Sequence, residues 1–404
     1  MSEILFLAHR LPFPPDRGDK IRSHHVLKAL AKLAPVHVAS FVDIKADWAH
    51  EDELAQVAAS HCLAARSKPL ALAGIEAALL RQPVSLAAFA STKLAHYVEQ
   101  TLTARPISAI YVFSGQMGQY VPAGFAGRLI VDLVDVDSAK FEAYAAEGRW
   151  PKGWINAREG RLLAAEEGRL AARADTTLLV SEAEANLLRS RLVAPANVLA
   201  LGNGIDTEGF DPARVKPALL GEGPHLVFTG QMDYAPNVAA ALHGIEFVLP
   251  AVRRHHPQAQ FHIVGRAPAR ELLARDGRDG VRIHGEVPDV RPFLAAADAV
   301  VAPLAIARGI QNKVLEAMAM ARPVVLTSGA ATGIGAEDGV QFAIGDGYAD
   351  FSARVLALLA NPGAAQAMGK AARQFVKRQR GWDAMLGALP AIMGFPKRRR
   401  RDAA

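Results

Sequence analysis

Residues 307–320 read Ala-Arg-Gly-Ile-Gln-Asn-Lys-Val-Leu-Glu-Ala-Met-Ala-Met. Two cations, Arg308 and Lys313, stand near Gly309 at the head of a helical pattern in which Val314, Leu315, Ala317 and Met318 are apolar. The free N–H groups and the dipole at a helix start favour an anion, and a glycine lets backbone approach it closely. A diphosphate fits that place, with Arg308 and Lys313 neutralising it. Glu316 is three residues past Lys313, so the two share a helix face. One turn deeper than the cations, it can accept both hydroxyls of a ribose. The competing reading is a surface helix with an isolated ion pair, worth about 0.2–0.5 kcal/mol. The apolar setting argues against an idle pair.

Two other groups of residues have chemistry to offer. Residues 12–20, Pro-Phe-Pro-Pro-Asp-Arg-Gly-Asp-Lys, form a loop between a short apolar run and a helical pattern. Such a loop, at the carboxyl end of a strand, is where α/β proteins bind ligands. Gly18 permits close approach there, and Arg17, Lys20 and Arg22 add positive charge. The loop lacks the G-x-G-x-x-G spacing, which argues against a dinucleotide dehydrogenase. Asp132, Asp135 and Asp137, with Ser138, follow the apolar run 129–134 and are expected at a strand end facing a cleft. Capping of the next helix is the structural alternative. His9 reads as packed or solvated, and His24 and His25 as helix-surface residues. Ser181 and Glu184 have the capping-box spacing. Nothing suggests a Ser-His-Asp nucleophile.

The elements that position these residues follow from periodicity. In the first half, strands are expected at residues 4–8, 36–42, 107–113, 129–134, 176–180 and 198–201. Helices are expected at 20–33, with Ile21, Leu27 and Leu30 inward, at 157–172, and after Ser181. Periodicity stops between Asn203 and Gly223, where Gly, Asp, Pro and Lys dominate. Beyond it, strands are expected at 225–229, 260–264, 281–284, 299–302, 324–327 and 340–344. Helices are expected at 237–249, 290–297, 310–321, 348–359 and 364–378. Strands alternating with helices imply parallel, doubly wound sheets. The chain has 404 residues, which favours two domains. The expected division is 1–205, 206–380, a C-terminal helix at 381–396 returning to the first domain, and a basic tail at 397–404.

Composition narrows the class. Hydrophobic residues make up 51% and charged residues 21%, an ordinary globular α/β balance rather than a disordered one. The single cysteine, Cys62, excludes an internal disulfide framework and a cysteine-based zinc site, and fits a reducing compartment. The opening does not read as a secretory signal, because His9 and Arg10 end the apolar run 4–8. No uninterrupted apolar run reaches the roughly 18–20 residues of a membrane span. The longest, 69–80, lies between Lys68 and Arg81 and reads as a buried or interfacial helix. The net charge is +6, and Lys397, Arg398, Arg399, Arg400 and Arg401 are consecutive. They read as a solvated tail or as an attachment to anionic lipid. Nucleic acid is not expected, since no recognition module or interleaved aromatics accompany the charge.

Residues 307–320, followed by Arg322-Pro323-Val324-Val325, resemble the donor-site helix of retaining glycosyltransferases with the GT-B fold, in the group called family four. Phe228-Thr229-Gly230-Gln231-Met232-Asp233-Tyr234-Ala235-Pro236-Asn237 looks like that family's first strand and loop of the second domain. Ile263-Val264-Gly265-Arg266 looks like its next strand end, and Asn203-Gly204-Ile205-Asp206 like its interdomain hinge. Together with residues 17–22 and 135–138, the chain resembles sugar transferases of bacterial exosortase (PEP-CTERM) and exopolysaccharide systems, over about residues 3–380.

The resemblance implies two Rossmann-like domains facing a central cleft and sugar transfer from a nucleotide-diphosphate sugar to a glycan or lipid-linked acceptor. It implies retention at the anomeric carbon, with no metal or other cofactor. Asp135, Arg308 and Lys313 are then the catalytic candidates. Gly18, Gly230, Gln231, Arg266, Gly309, Ile310, Asn312 and Glu316 are the donor-binding ones. Arg308 stands where the family usually has the first of two glutamates, and Gln231 where it usually has an arginine. Arg266, Arg308 and Lys313 are expected to compensate on the diphosphate. An Asp-x-Asp pattern also marks a metal site in the other major glycosyltransferase fold, but that fold leaves the second α/β half unexplained. The rival functions are a nucleotide-sugar 2-epimerase of the same architecture and a non-catalytic glycan-assembly partner. The expected location is cytoplasmic, peripheral at the inner membrane face through the basic tail.

Overall fold

The computed structural model describes residues 2–148, 150–305 and 310–395. The chain divides into two compact units, Met1–Asn203 with Met385–Ala404, and Gly204–Ala384.

The first unit is built on seven parallel strands: β1 (Glu3–Ala8), β2 (Val36–Val42), β3 (Ser60–Ala65), β4 (Ile107–Phe113), β5 (Arg128–Val134), β6 (Thr176–Leu179) and β7 (Val198–Ala200). Their order is β3-β2-β1-β4-β5-β6-β7. β2 is buried along its whole length, as a strand covered on both faces must be. It pairs with β1 from Ile4 opposite Val36 to Ala8 opposite Ser40. Strand order reverses between β1 and β4, so the loops at their carboxyl ends diverge and leave a crevice for a ligand. Residues 385–395 belong to this unit, where Arg128 Nε donates to the carbonyl of Ile392.

The second unit repeats the scheme with β8 (His225–Thr229), β9 (Gln260–Val264), β10 (Val281–Gly285), β11 (Ala299–Ala302), β12 (Val324–Leu326) and β13 (Ala343–Ile344). The order is β10-β9-β8-β11-β12-β13, all parallel, and the reversal falls between β8 and β11. Phe228, Phe261, Ile263 and Val301 are buried in its core. Both units are thus the parallel, doubly wound α/β sheets that the alternation implies.

Some elements differ from the expectation. β3 carries the mixed sequence Ser-His-Cys-Leu-Ala-Ala and lies at a sheet edge, half-buried at its start, so no apolar run announces it. The strand expected at 340–344 shrinks to Ala343–Ile344. The helix expected at 237–249 runs from Ala235 to Arg253 and passes through a π-turn at Gly244–Val248. A Cβ on Gly244 would lie 2.4 Å from the Phe261 ring, so the glycine lets this helix sit directly on β9. Among the described residues, Ala235–Arg253 is also the helix long and apolar enough to cross a bilayer. Asn237, His243 and Glu246 interrupt it, and half of it is buried in the unit's core, as in a core helix.

Candidate functional site

In the second unit the site grows from the carboxyl ends of β8 and β9. A Cβ on Gly265 would fall 1.6 Å from the Gly230 carbonyl oxygen, and one on Gly230 would fall 2.8 Å from Lys313 Nζ. The two glycines therefore bring the strand ends together and leave room for the lysine head. Helix Asn312–Ala319 buries Val314, Leu315, Ala317, Met318 and Ala319. That apolar stripe leaves Lys313 and Glu316 on the opposite, half-buried side.

Lys313 is held from several directions. Its Nζ donates to Asn237 Oδ1 at 2.6 Å and lies 4.6 Å from the centroid of the buried Phe228 ring. Asn237 in turn donates through Nδ2 to the Gln231 carbonyl at 2.9 Å. Burial lowers the ammonium's pKa to about 8, against a smaller upward pull from Glu316. Burial also raises the Glu316 carboxyl, against the pull of Lys313. The Glu316 carboxylate makes no hydrogen bond with a described residue, so it is available as an acceptor. Arg266 donates to Gln231 Oε1 at 3.0 Å, and Gln231 Nε2 donates to Asp233 at 2.6 Å. The Met232 N–H to Arg266 carbonyl bond (2.9 Å) ties the two loops together.

Gly230, Gln231, Arg266 and Lys313 are thus joined through contacts that include Asn237. Asn312 opens the helix and is exposed, and Ile310 lies against Gly333. Arg308 and Gly309 fall outside the described residues, as does the tail 397–401. Asn237 and Phe228 carry no local signal that marks them for this site. Asn237 is 76 positions from Lys313, and only the sheet topology brings them together.

The first unit corrects three expectations. Asp132 does not face a cleft. It is fully buried, bonded to Arg22 Nε and Nη2 (2.9 and 3.1 Å) and to the Tyr111 hydroxyl (2.7 Å). Arg22 is likewise spent inside the unit, donating also to the Leu201 carbonyl at 2.6 Å and Asn203 Oδ1 at 3.0 Å, so it adds no charge to the loop. Lys20 is buried too, 3.1 Å from Asp47. An unpaired charge cannot be left in a core, and each finds its counter-ion far along the chain. His24 is also buried, edge-on to Phe13, rather than on a helix surface.

Asp135 is on the other side of a break in β5. The register slips between Asp132 and Val134, and Val134 has φ +70°, a strained conformation for a β-branched residue. The break sends Asp135 outward, where Lys140 bonds it at 2.8 Å and Asp137 at 3.1 Å. Gly18 is the exposed first residue of helix Gly18–Ala31, and a Cβ there would meet no atom within 4 Å. Beside it, His9 stacks on Phe113 and lies 3.2 Å from Asp19, which also accepts from Arg10 at 2.5 Å. Burial would raise the Asp19 carboxyl, but the bonds from His9 and Arg10 outweigh it and hold it below the usual carboxylate range. This cluster sits at the β1–β4 reversal. Ser181 Oγ accepts the Glu184 N–H at 3.2 Å as a helix cap, and the Glu184 carboxylate accepts the Val136 N–H.

Residues 223–361 match the family model of Glycosyl transferases group 1. The chain is 28% identical over 272 residues to glycogen synthase of Mycobacterium tuberculosis, covering 64% of this chain and 63% of that protein. It therefore spans under two thirds of the length of the curated relative. Anabaena HepE, solved with UDP and glucose, superposes with a TM-score of 0.59 at 16% identity, over 98% of this chain and 100% of that one. A glycosyltransferase from Rickettsia africae ESF-5 gives 0.60 at 13% identity, over 97% and 98%. The fold is that of GT-B glycosyltransferases, two Rossmann-like domains with parallel sheets.

Proposed function

We propose that the protein is a glycosyltransferase (EC 2.4) that moves a sugar from a nucleotide-diphosphate sugar to a glycan or lipid-linked acceptor. The observation that carries this reading is the Lys313–Glu316 pair. A half-buried ammonium and a carboxylate with no hydrogen-bond partner among the described residues share one helix face, beside the glycine-lined ends of β8 and β9. They lie in the segment that matches the group 1 transferases. HepE, with the same fold, holds UDP and glucose.

Breaking the bond from anomeric carbon to phosphate develops negative charge on the leaving diphosphate. Preorganised donors aimed at that charge lower the barrier. Lys313 and Arg266 supply them here, with the N–H groups at Ile310 and Asn312, and the family resemblance adds Arg308 and Gly309 and a reaction without a metal. Gly230 and Gln231 line the approach, and Glu316 takes the ribose hydroxyls. In the first unit, the exposed Gly18 is the family resemblance's candidate for contact with a phosphate. Asp135 orients a sugar hydroxyl or steadies positive charge at the anomeric carbon. The family resemblance favours transfer with retention and a product that belongs to exopolysaccharide or cell-surface glycan synthesis of the exosortase type. The enzyme works in the cytoplasm at the inner face of the membrane, with the basic residues 397–401 drawn to anionic lipid.

A thermal-shift screen against UDP, GDP, ADP and their sugars, with and without EDTA, tests this reading. Ligand that binds only folded protein raises the melting temperature by mass action. One nucleotide should shift it, unaffected by EDTA, and Lys313→Ala and Glu316→Ala should each cut transfer by about a hundredfold or more with the fold intact. Near-normal turnover in both variants refutes the site. Conversion of the donor without any acceptor identifies an epimerase instead.

A further inference from the structure

Helix Leu70–Leu79 is packed inside out. It buries Ala73 and Ala77 and turns Leu72, Ile75 and Leu79 to the outside as one stripe, with Leu79 79% exposed. Leu80 continues the stripe. A globular helix normally buries its large aliphatic residues, and a contiguous exposed cluster of them marks an interaction surface. A later helix of the same unit, Lys152–Arg173, is tied to it by Arg158, which donates to the Ala77 carbonyl at 2.9 Å. Trp154, one turn before Arg158, is largely exposed, and Trp150 is 87% exposed. All of these residues belong to the first unit.

We infer that this face is a membrane-docking surface, which lies in the headgroup layer of an anionic bilayer. The inference takes only the membrane location from the proposed function, and it assigns the larger share of that contact to a folded apolar face, with the tail contributing less. Three observations select lipid as the occupant. The helix has 10 residues, about 15 Å of rise, half of the ≈ 30 Å hydrocarbon core, so it lies on a bilayer and does not cross it. Tryptophans beside an aliphatic stripe match the polarity gradient of the interface. Exposed cations accompany the stripe, Arg81 just past Leu80, and Lys152 and Arg161 on the helix that carries Trp154. Arg81, Lys152 and Arg161 make no ion pair with a described residue. The nearby carboxylates are already satisfied, Glu76 by Lys68 at 2.7 Å and Glu159 by the N–H groups of Val84 and Ser85.

The test is co-sedimentation of the full chain with vesicles of phosphatidylcholine alone and with phosphatidylglycerol added. The triple variant Leu72→Glu, Ile75→Glu, Leu79→Glu should bind the anionic vesicles at least about tenfold more weakly, and a chain lacking residues 397–404 should lose much less. Arg81→Gln with Lys152→Gln should weaken binding to the anionic vesicles alone. Trp154→Ser, at an exposed position, repeats the test if the triple variant folds poorly, and it should weaken binding while keeping the wild-type melting temperature. Undiminished binding by the triple variant overturns the inference. So does a dimer of the wild type that the variant dissolves, with no vesicle binding by either, which makes the face a self-association surface. A missing nucleotide shift with intact vesicle binding would sink the proposed function and leave this surface standing.

Discussion

Donor affinity is expected to fall as pH rises through about 8, because Lys313 loses its proton there. The ammonium is half-buried over Phe228, with one bond to Asn237, and burial disfavours its charge. With a pKa of about 8 it is about nine-tenths charged at pH 7 and about one-tenth charged at pH 9. A bound diphosphate favours the charged form and raises the pKa, so binding takes up a proton above pH 8. Below that pH the affinity is flat. Above it, the dissociation constant rises by up to about tenfold per pH unit, or about 1.4 kcal/mol, until the bound-state pKa is reached. The ligand adds no slope of its own there, since a terminal phosphate with second pKa near about 6 is already ionised. The same depressed pKa means that Lys313 costs stability below pH 8, relieved between 8 and the unfolded value near about 10.4. Isothermal titration with UDP, or whichever nucleotide gives the thermal shift, across this range and in two buffers of different ionisation enthalpy measures both affinity and proton uptake. Lys313→Arg, charged at every pH tested, should flatten the profile. A flat wild-type profile, or an equal slope in the arginine variant, refutes the reasoning.

Three further outcomes test the neighbouring geometry. Glu316→Gln removes the carboxylate that supports the Lys313 charge, so the inflection in that titration should move to lower pH. Asp132→Ala leaves Arg22 buried without its counter-ion and should destabilise the first unit by about 3–5 kcal/mol, read by urea unfolding. Asp132→Asn should recover part of that loss, because the Tyr111 bond survives. Gly265→Ala drives a Cβ onto the Gly230 carbonyl and should destabilise the second unit by more than about 3 kcal/mol, with loss of nucleotide binding, in the same unfolding and titration assays.

The amino-acid sequence by itself determined the fold class. β2, β4, β8, β9 and β11 lie where largely apolar runs put them, because a parallel strand covered on both faces shows few polar side chains. β3 escaped because an edge strand is half-covered and its pattern is mixed. That Lys313 and Glu316 share a face follows from helix geometry alone, since a spacing of three is local information.

Tertiary structure decided what those residues touch. The strand order, with its reversal at β8–β11, brings Asn237 to Lys313, and the turn from β1 into helix Gly18–Ala31 places His9 beside Asp19. Asp132 and Asp135 look alike in sequence, yet the register break at Val134 sends one into the core and the other outward. Lys20 and Arg22 read as ligand-binding charges in a loop and proved to be structural cations, because Asp47 and Asp132 arrive from distant elements to neutralise them. The helix Leu70–Leu79 shows the same limit from the other side. Its composition reads as a buried or interfacial helix, and only the packing of Ala73 and Ala77 inward decides that its leucines face out. Local periodicity specifies a residue's element and face, whereas partners separated by tens of residues are set by how the elements stack.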